Sequence, residues 1–276
     1  MVAQEIKGII INDLINEIPE LSEGFSLSQY KSKKNFVYDL VFKKRPKNVP
    51  KQIILKVFQT ENADYEYNIY KKLESQDLPI PKVLIYKKPY LILEKINGIN
   101  LCDLVNKNLI NMAKLNDLIP TTLDMILIGI KKLASWLAQL HRQNIIKRKE
   151  SLEIIVLNKG DTRLRDFVMN FHSEILYGFD FEESYEGNYL DDLAWICCAL
   201  LDTDPGIFEM FEPKHKTELI NIFLKEYFRI NNDFEFSFNY FAERLIGDLN
   251  IVIERRSLEL GPVNKDSIIK SILKDY

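Results

Sequence analysis

Apolar residues at Ile6, Ile10, Leu14 and Ile18 recur at every fourth position, which predicts an amphipathic helix over residues 1–20. The period then shortens. Residues 25–30, 36–42 and 52–59 read as strands, separated by the polar turns Lys31-Ser32-Lys33-Lys34-Asn35 and Arg45-Pro46-Lys47-Asn48. A charged helix is expected over about 62–76, followed by short strands at 82–86 and 90–95. Beyond Asn97-Gly98 the pattern changes character, and from Leu101 onward long helical stretches dominate, most clearly 121–144, 190–201 and several segments from about Pro213 to the end. The expectation is an α+β chain with a small mixed β lobe, residues 1–97, joined to a larger, mainly helical lobe, residues 98–276.

Composition agrees with two lobes and narrows the partners. At 276 residues the chain exceeds the size at which a single core stops growing. A hydrophobic fraction of 46% with 28% charged residues is ordinary for a globular protein. The formal net charge is −3 and the lysines and arginines are scattered, which argues against nucleic acid as a partner. The three cysteines, Cys102, Cys197 and Cys198, include an adjacent pair, so a disulfide framework is not expected and a reducing interior is. The apolar run Ile9-Ile10-Ile11 lies among Lys7, Asp13 and Glu17, unlike a signal peptide. The apolar run at 119–130 contains Asp124, and no stretch reaches the roughly 18 apolar residues of a membrane helix. These features predict a cytoplasmic protein with no membrane partner.

Candidate chemistry begins with three carboxylates. Lys159-Gly160-Asp161-Thr162-Arg163-Leu164-Arg165-Asp166-Phe167 is followed by Gly178-Phe179-Asp180-Phe181-Glu182. In ATP-dependent transfer to a hydroxyl, one carboxylate orients the acceptor oxygen and takes its proton, while others hold the magnesium ions that bridge the phosphates. Taken singly, each Asp reads equally as a solvated turn or a helix cap, because the chain holds 40 acidic residues. A second element is Lys56, a charge inside the strand pattern Ile53-Ile54-Leu55-Lys56-Val57-Phe58. If buried, its ammonium needs an anionic partner, which Glu66 on the following helix can supply; otherwise Lys56 points outward to solvent.

Together these elements resemble the aminoglycoside phosphotransferase and choline kinase-like group of the protein-kinase-like superfamily. Its signature is a strand lysine, a helix glutamate, H-G-D-x-x-x-x-N, a metal-binding Asp and a late D-L-A. Here the corresponding residues are Lys56, Glu66, Lys159-Gly160-Asp161 through Asp166, Asp180 and Asp192-Leu193-Ala194. Leu133-Ala134-Ser135-Trp136-Leu137-Ala138-Gln139-Leu140-His141 is similar to the helix preceding the catalytic loop, and Leu91-Ile92-Leu93-Glu94-Lys95-Ile96-Asn97-Gly98 to the interlobe hinge. The resemblance covers roughly residues 25–205.

It implies a bilobal protein-kinase-like fold with a nucleotide-binding first lobe and a second lobe for catalysis and the acceptor. It also implies ATP and Mg2+ as cofactors. In it Lys56, paired with Glu66, contacts the α- and β-phosphates; main-chain groups of Glu94 and Ile96 bind the adenine edge; Asp166 and Asp180 hold magnesium; and Asp161 is the base. Asp192 opens a helix and is expected to cap backbone N–H groups, touching no nucleotide.

Three positions depart from the pattern. Lys159 replaces His, and either braces the loop, adds a cation near the phosphates or is solvated. Asp166 replaces Asn and adds a negative charge. The first hairpin turn lacks glycine, so Ser32, Asn35 and the lysines would have to serve the phosphates. His141, His172 and His215 show no metal-site spacing. The acidic run Glu182, Glu183, Glu186 and Asp191 would suit a cationic acceptor, or is a solvated face. The expected activity is transfer of the γ-phosphoryl group of ATP to a hydroxyl of a small molecule. Rival readings are a small atypical Ser/Thr protein kinase and a nucleotide-binding pseudokinase or scaffold, the latter motivated by Lys159, Asp166 and the glycine-poor turn.

Overall fold

A computed structural model describes residues 2–32, 34–110, 112, 114–148, 154–204, 206–208 and 214–259. Its first helix, α1 (Val2–Glu17), stops ahead of Pro19, which opens a 3-10 turn at Pro19–Glu23. The antiparallel strands β1 (Phe25–Tyr30), β2 (Phe36–Phe42) and β3 (Gln52–Val57) follow, then α2 (Ala63–Glu74), β4 (Val83–Lys87) and β5 (Tyr90–Glu94). They form one five-stranded sheet in the order β1-β2-β3-β5-β4. The period-two pattern sorts its faces. Tyr38, Leu40, Phe42, Ile53, Leu55, Val57, Tyr90 and Ile92 make one core with Ile10 and Leu14 of α1 and with Ile18 and Leu21, which follow it. Asp13, on α1, accepts hydrogen bonds from Lys87 and from the Tyr90 hydroxyl.

These elements make up one compact unit, running to Glu74 and resuming at Pro81–Ile96. The second unit comprises Ser75–Ile80 and the chain from Asn97 onward. Hydrogen bonds bind the short segment there: Trp136 Nε1 and the Gly178 N–H both donate to the Pro79 carbonyl, at 2.8 and 3.2 Å, and Gln76 exchanges side-chain amide bonds with Asn144.

The second unit contains β6 (Ile99–Asn100), α3 (Leu101–Leu109), α4 (Pro120–Gln143), β7 (Ile145–Arg148), β8 (Ile154–Asn158), β9 (Phe167–Asn170), β10 (Ile175–Gly178), β11 (Tyr185–Asn188), α5 (Tyr189–Asp202), α6 (Lys214–Ile230) and α7 (Phe238–Arg256). The expected helices at 121–144 and 190–201 are α4 and α5, and the helical expectation beyond residue 259 lies outside the described residues. Six short strands, β6 to β11, interrupt the helices in two three-stranded sheets, ordered β10-β9-β6 and β11-β8-β7. α4 buries Ile126, Ile130, Leu133, Leu137 and Leu140, spaced at alternating fours and threes, so one stripe faces the core. α5 is apolar almost all round, with Leu190, Leu193, Ile196, Cys197, Leu200 and Leu201 buried, and it packs against α6 and α7. Among the described residues, no helix is long and apolar enough to cross a membrane.

One buried carboxylate fastens α5 to the loop after β8. Asn188 caps α5, accepting the Leu190 N–H at 2.9 Å. Asp192 therefore sits in the first turn with its side chain turned to the loop. It accepts the N–H groups of Lys159 and Gly160 at 2.6 and 3.0 Å, the Thr162 hydroxyl at 2.5 Å and His141 Nε2 at 3.1 Å. His141 Nδ1 is bonded in turn to the Tyr227 hydroxyl of α6 at 2.8 Å. Burial pushes the Asp192 carboxyl up, but the hydrogen bonds from His141, Thr162 and the loop N–H outweigh it and hold the group below its ordinary value.

Removing this carboxylate strands four donors. Asp192→Ala is expected to lower unfolding free energy by about 3–5 kcal/mol in urea denaturation at pH 7. Because the folded value is depressed, the stabilisation is complete above pH 3.8 and disappears as pH falls through the folded value. Asp248 of α7 behaves oppositely: it is buried, its Oδ2 has no hydrogen-bond partner among the described residues, and burial raises its carboxyl to about 7. Its ionisation costs stability as pH rises from about 4 to above 7. Asp248→Asn should raise Tm by several degrees at pH 8, by less at pH 5 and hardly below pH 4, read by calorimetry at the three values.

Candidate functional site

In the first unit, β3 sends Lys56 to the sheet face opposite α1, where its cross-strand neighbours are Val37 and Leu91. Lys56 is 6% exposed and does not point to solvent. Its Nζ donates to Glu66 Oε2 at 2.6 Å, and Glu66, on α2, is fully buried. Such a pair is maintained because either charge alone would be stranded in an apolar setting. The Glu94 N–H is given to the Lys82 carbonyl at 2.9 Å, and Ile96 follows the end of β5 half-buried. Ser32 is exposed in the turn between β1 and β2, and its hydroxyl accepts the Asn35 N–H at 3.4 Å. Asn35 is buried and accepts the Gln59 N–H at 3.1 Å, so the glycine-poor turn is closed by side chains; Lys33 lies outside the described residues.

In the second unit, β8 leads into the loop 159–162 that Asp192 holds. Gly160 has φ +73°, and a Cβ there would lie 1.9 Å from the Glu183 carbonyl oxygen, so only glycine fits the close approach. The Ser184 hydroxyl bonds the Lys159 carbonyl at 3.0 Å from the same neighbouring segment. Asp161 and Asp180 both adopt left-handed backbone, at φ +40° and +67°, a conformation that costs on the order of 1–3 kcal/mol for a residue other than glycine. Strain of this kind is tolerated where the surroundings over-determine the backbone, and Asp192 does so for the first of the two.

Lys159 lies between Asp166 and Asp180. It is 1% exposed, and its Nζ is 3.0 Å from both Asp166 Oδ2 and the Asp180 carbonyl oxygen. The same Asp166 oxygen accepts the Arg163 N–H at 3.1 Å, and the Asp166 carbonyl accepts the Phe179 N–H at 3.0 Å. Burial raises the Asp166 carboxyl, against the pull of the Lys159 ammonium. Asp161, Asp166 and Asp180 thus belong to two loops bonded directly to each other.

The sequence reading did not anticipate two arginines on Asp161. Arg163 reaches both of its oxygens, with Nε at 3.2 Å from Oδ1, and Arg255 of α7 donates to Oδ1 from 3.1 Å while lying over the Trp195 ring. Arg163 was visible two positions after Asp161; nothing in the sequence ties residue 255 to residue 161. The acidic run is dispersed in its roles. Asp191 is buried and accepts the Tyr185 and Tyr240 hydroxyls at 2.9 and 2.8 Å, with Arg244 at 2.9 Å, and Glu182 is buried, while Glu183 and Glu186 are exposed.

The donor set suits a hard divalent cation unevenly. Asp180 presents an exposed residue on a tight turn, a good oxygen ligand for magnesium. Asp166 has Oδ2 occupied by an ammonium and an N–H, so only Oδ1 could face an ion.

No protein-family model matches the sequence, and no curated protein matches it. Solved structures do match in three dimensions. An aminoglycoside-3'-phosphotransferase of type VIII superposes with a TM-score of 0.55 at 15% identity, over 81% of this chain and 93% of that one. An aminoglycoside phosphotransferase from Streptomyces rimosus, solved in complex with ADP and streptomycin, gives 0.54 at 12% identity over 82% and 91%. A choline/ethanolamine kinase family protein from Mesorhizobium loti gives 0.50 at 10% identity over 89% and 84%. Identity this low speaks to architecture alone: the chain has the protein-kinase-like fold of the aminoglycoside phosphotransferases and choline/ethanolamine kinases.

Proposed function

We propose that this protein is an ATP-dependent phosphotransferase whose acceptor is a hydroxyl of a small molecule. The observation that carries the reading is the tie between the two carboxylate loops. One buried ammonium touches both the Asp166 carboxylate and the Asp180 main chain, while Asp192 pins the backbone that presents Asp161. A chain that needed these acids only for solubility would not bury a lysine and a carboxylate to hold them in register.

In this reading Lys56, oriented by Glu66, binds the α- and β-phosphates of ATP. Glu94 offers the adenine edge its carbonyl, since its N–H is engaged, and Ile96 offers its N–H. Ser32 lies in the turn that covers the phosphates. Asp180 would hold magnesium, and Asp166 would have only Oδ1 left to offer, beside the Lys159 ammonium. The ion would supply positive charge to offset the negative charge of the phosphates. Asp161 orients the acceptor hydroxyl and takes its proton, and Arg163 and Arg255 fix the direction of its carboxylate. The first unit serves as the nucleotide-binding lobe and the second as the catalytic and acceptor-binding lobe. Asp191 is committed to Tyr185, Tyr240 and Arg244, which weakens the case for a cationic acceptor bound by that run.

A second reading, a nucleotide-binding pseudokinase, is favoured by the two guanidiniums on Asp161, which occupy the oxygens a hydroxyl would need. Turnover separates the two. Asp161→Asn is expected to lower Mg-ATP turnover about 100-fold or more while leaving ATP affinity nearly unchanged; unchanged turnover in that variant overturns the assignment of the base. Wild-type protein that binds ATP yet neither hydrolyses nor transfers it, across a panel of metabolite acceptors, would establish the pseudokinase reading. Asp180→Ala should abolish both turnover and the magnesium dependence of ATP binding, measured by calorimetry with and without the metal.

A further inference from the structure

The two departures from the family pattern at 159 and 166 meet in space. The pattern places two neutral side chains, His and Asn, where this chain has Lys159 and Asp166, opposite charges 3.0 Å apart. The ammonium has a complete receptacle. Asp166 Oδ2 and the Asp180 carbonyl oxygen each lie at 3.0 Å, and the Phe167 and Phe181 rings each lie 5.9 Å away with their faces toward it. A full negative charge, a carbonyl dipole and two aromatic faces are the groups that stabilise a desolvated cation. The Lys159 side chain is 1% exposed, so water does not share that task.

One member of this receptacle, Asp166, stands at the position where the family pattern has a metal-holding residue. In protein kinases two magnesium ions are held, one by the Asp of the metal-binding motif and one by the residue matching position 166. We infer that the Lys159 ammonium is a resident cation filling the second of these places, so that the chain takes its nucleotide with a single divalent ion, held by Asp180. Magnesium requires oxygens at about 2.1 Å in near-octahedral array. An Asp166 oxygen that already accepts an ammonium and the Arg163 N–H cannot also enter that array, and a divalent ion on the same carboxylate would face the ammonium at close range. Asp166, as a carboxylate rather than an amide, is then the counter-charge the buried lysine requires. The inference rests on the phosphotransferase reading for its nucleotide, whereas the pairing itself does not.

Titration of the full chain with Mn2+ in the presence of AMP-PNP, followed by electron paramagnetic resonance, counts the bound ions directly. One Mn2+ per chain is expected for the wild type and two for the double variant Lys159→His with Asp166→Asn. Two ions in the wild type overturn the inference while leaving the phosphotransferase reading intact. No Mn2+ bound with AMP-PNP overturns both. The pairing is read separately from Tm in the absence of ligand: each single variant should lose stability and the double should recover most of it. Losses that simply add in the double variant would show that the two charges do not support one another, and would overturn the resident-cation assignment.

Discussion

Asp192 is the constraint on which the second unit is organised. A fully buried carboxylate is tolerable only when its charge is met by donors, and here the donors come from two places in the chain: the loop after β8, through Lys159, Gly160 and Thr162, and His141 of α4. The electrostatic demand of one side chain thus fixes α5, α4 and the loop relative to each other. Tyr227 extends the network to α6 through His141. Geometry that looks catalytic is, at its root, the satisfaction of a buried anion.

The first unit solves a related problem with fewer parts. Lys56 and Glu66 are single charges on β3 and α2, and their mutual pairing dictates where α2 must lie over the sheet. The opposite face packs aliphatic and aromatic side chains against α1 and adds one polar tie at its margin, Asp13 with Lys87 and the Tyr90 hydroxyl. One face of the sheet is therefore positioned by a buried ion pair and the other mainly by apolar area.

Much of this was legible in the sequence, and the reason lies in period. Strands β1 to β3 and helices α2, α4 and α5 have long, regular patterns bounded by turn residues, and the structure finds them within a few residues of where the periodicity puts them. The six strands β6 to β11 were not legible, because two to five residues are too few to establish alternation. β8 is an unbroken apolar run, Ile154-Ile155-Val156-Leu157, which reads equally as buried helix. At the candidate site, Lys56 with Glu66 could be reasoned from charge inside apolar pattern, whereas Asp192, expected from helix-start chemistry to bond backbone N–H groups, bonds those of the loop after β8 and leaves the cap of α5 to Asn188. Lys159 could not be so reasoned. Its burial follows from Phe167, Phe181 and Asp166 converging on one point, and convergence of loops is not written in any local spacing. The grip of Arg255 on Asp161 spans 94 residues and was invisible for the same reason.

The Lys159–Asp166 ion pair also bears on how such a chain could arise. An ancestor carrying neutral side chains at both positions cannot reach this state by one substitution without passing through a protein that buries a lone lysine or a lone aspartate. Either intermediate carries the stability cost of a buried charge without its partner. Residues 159 and 166 are therefore expected to be inherited as a unit, so that descendants of this lineage keep both charges or neither.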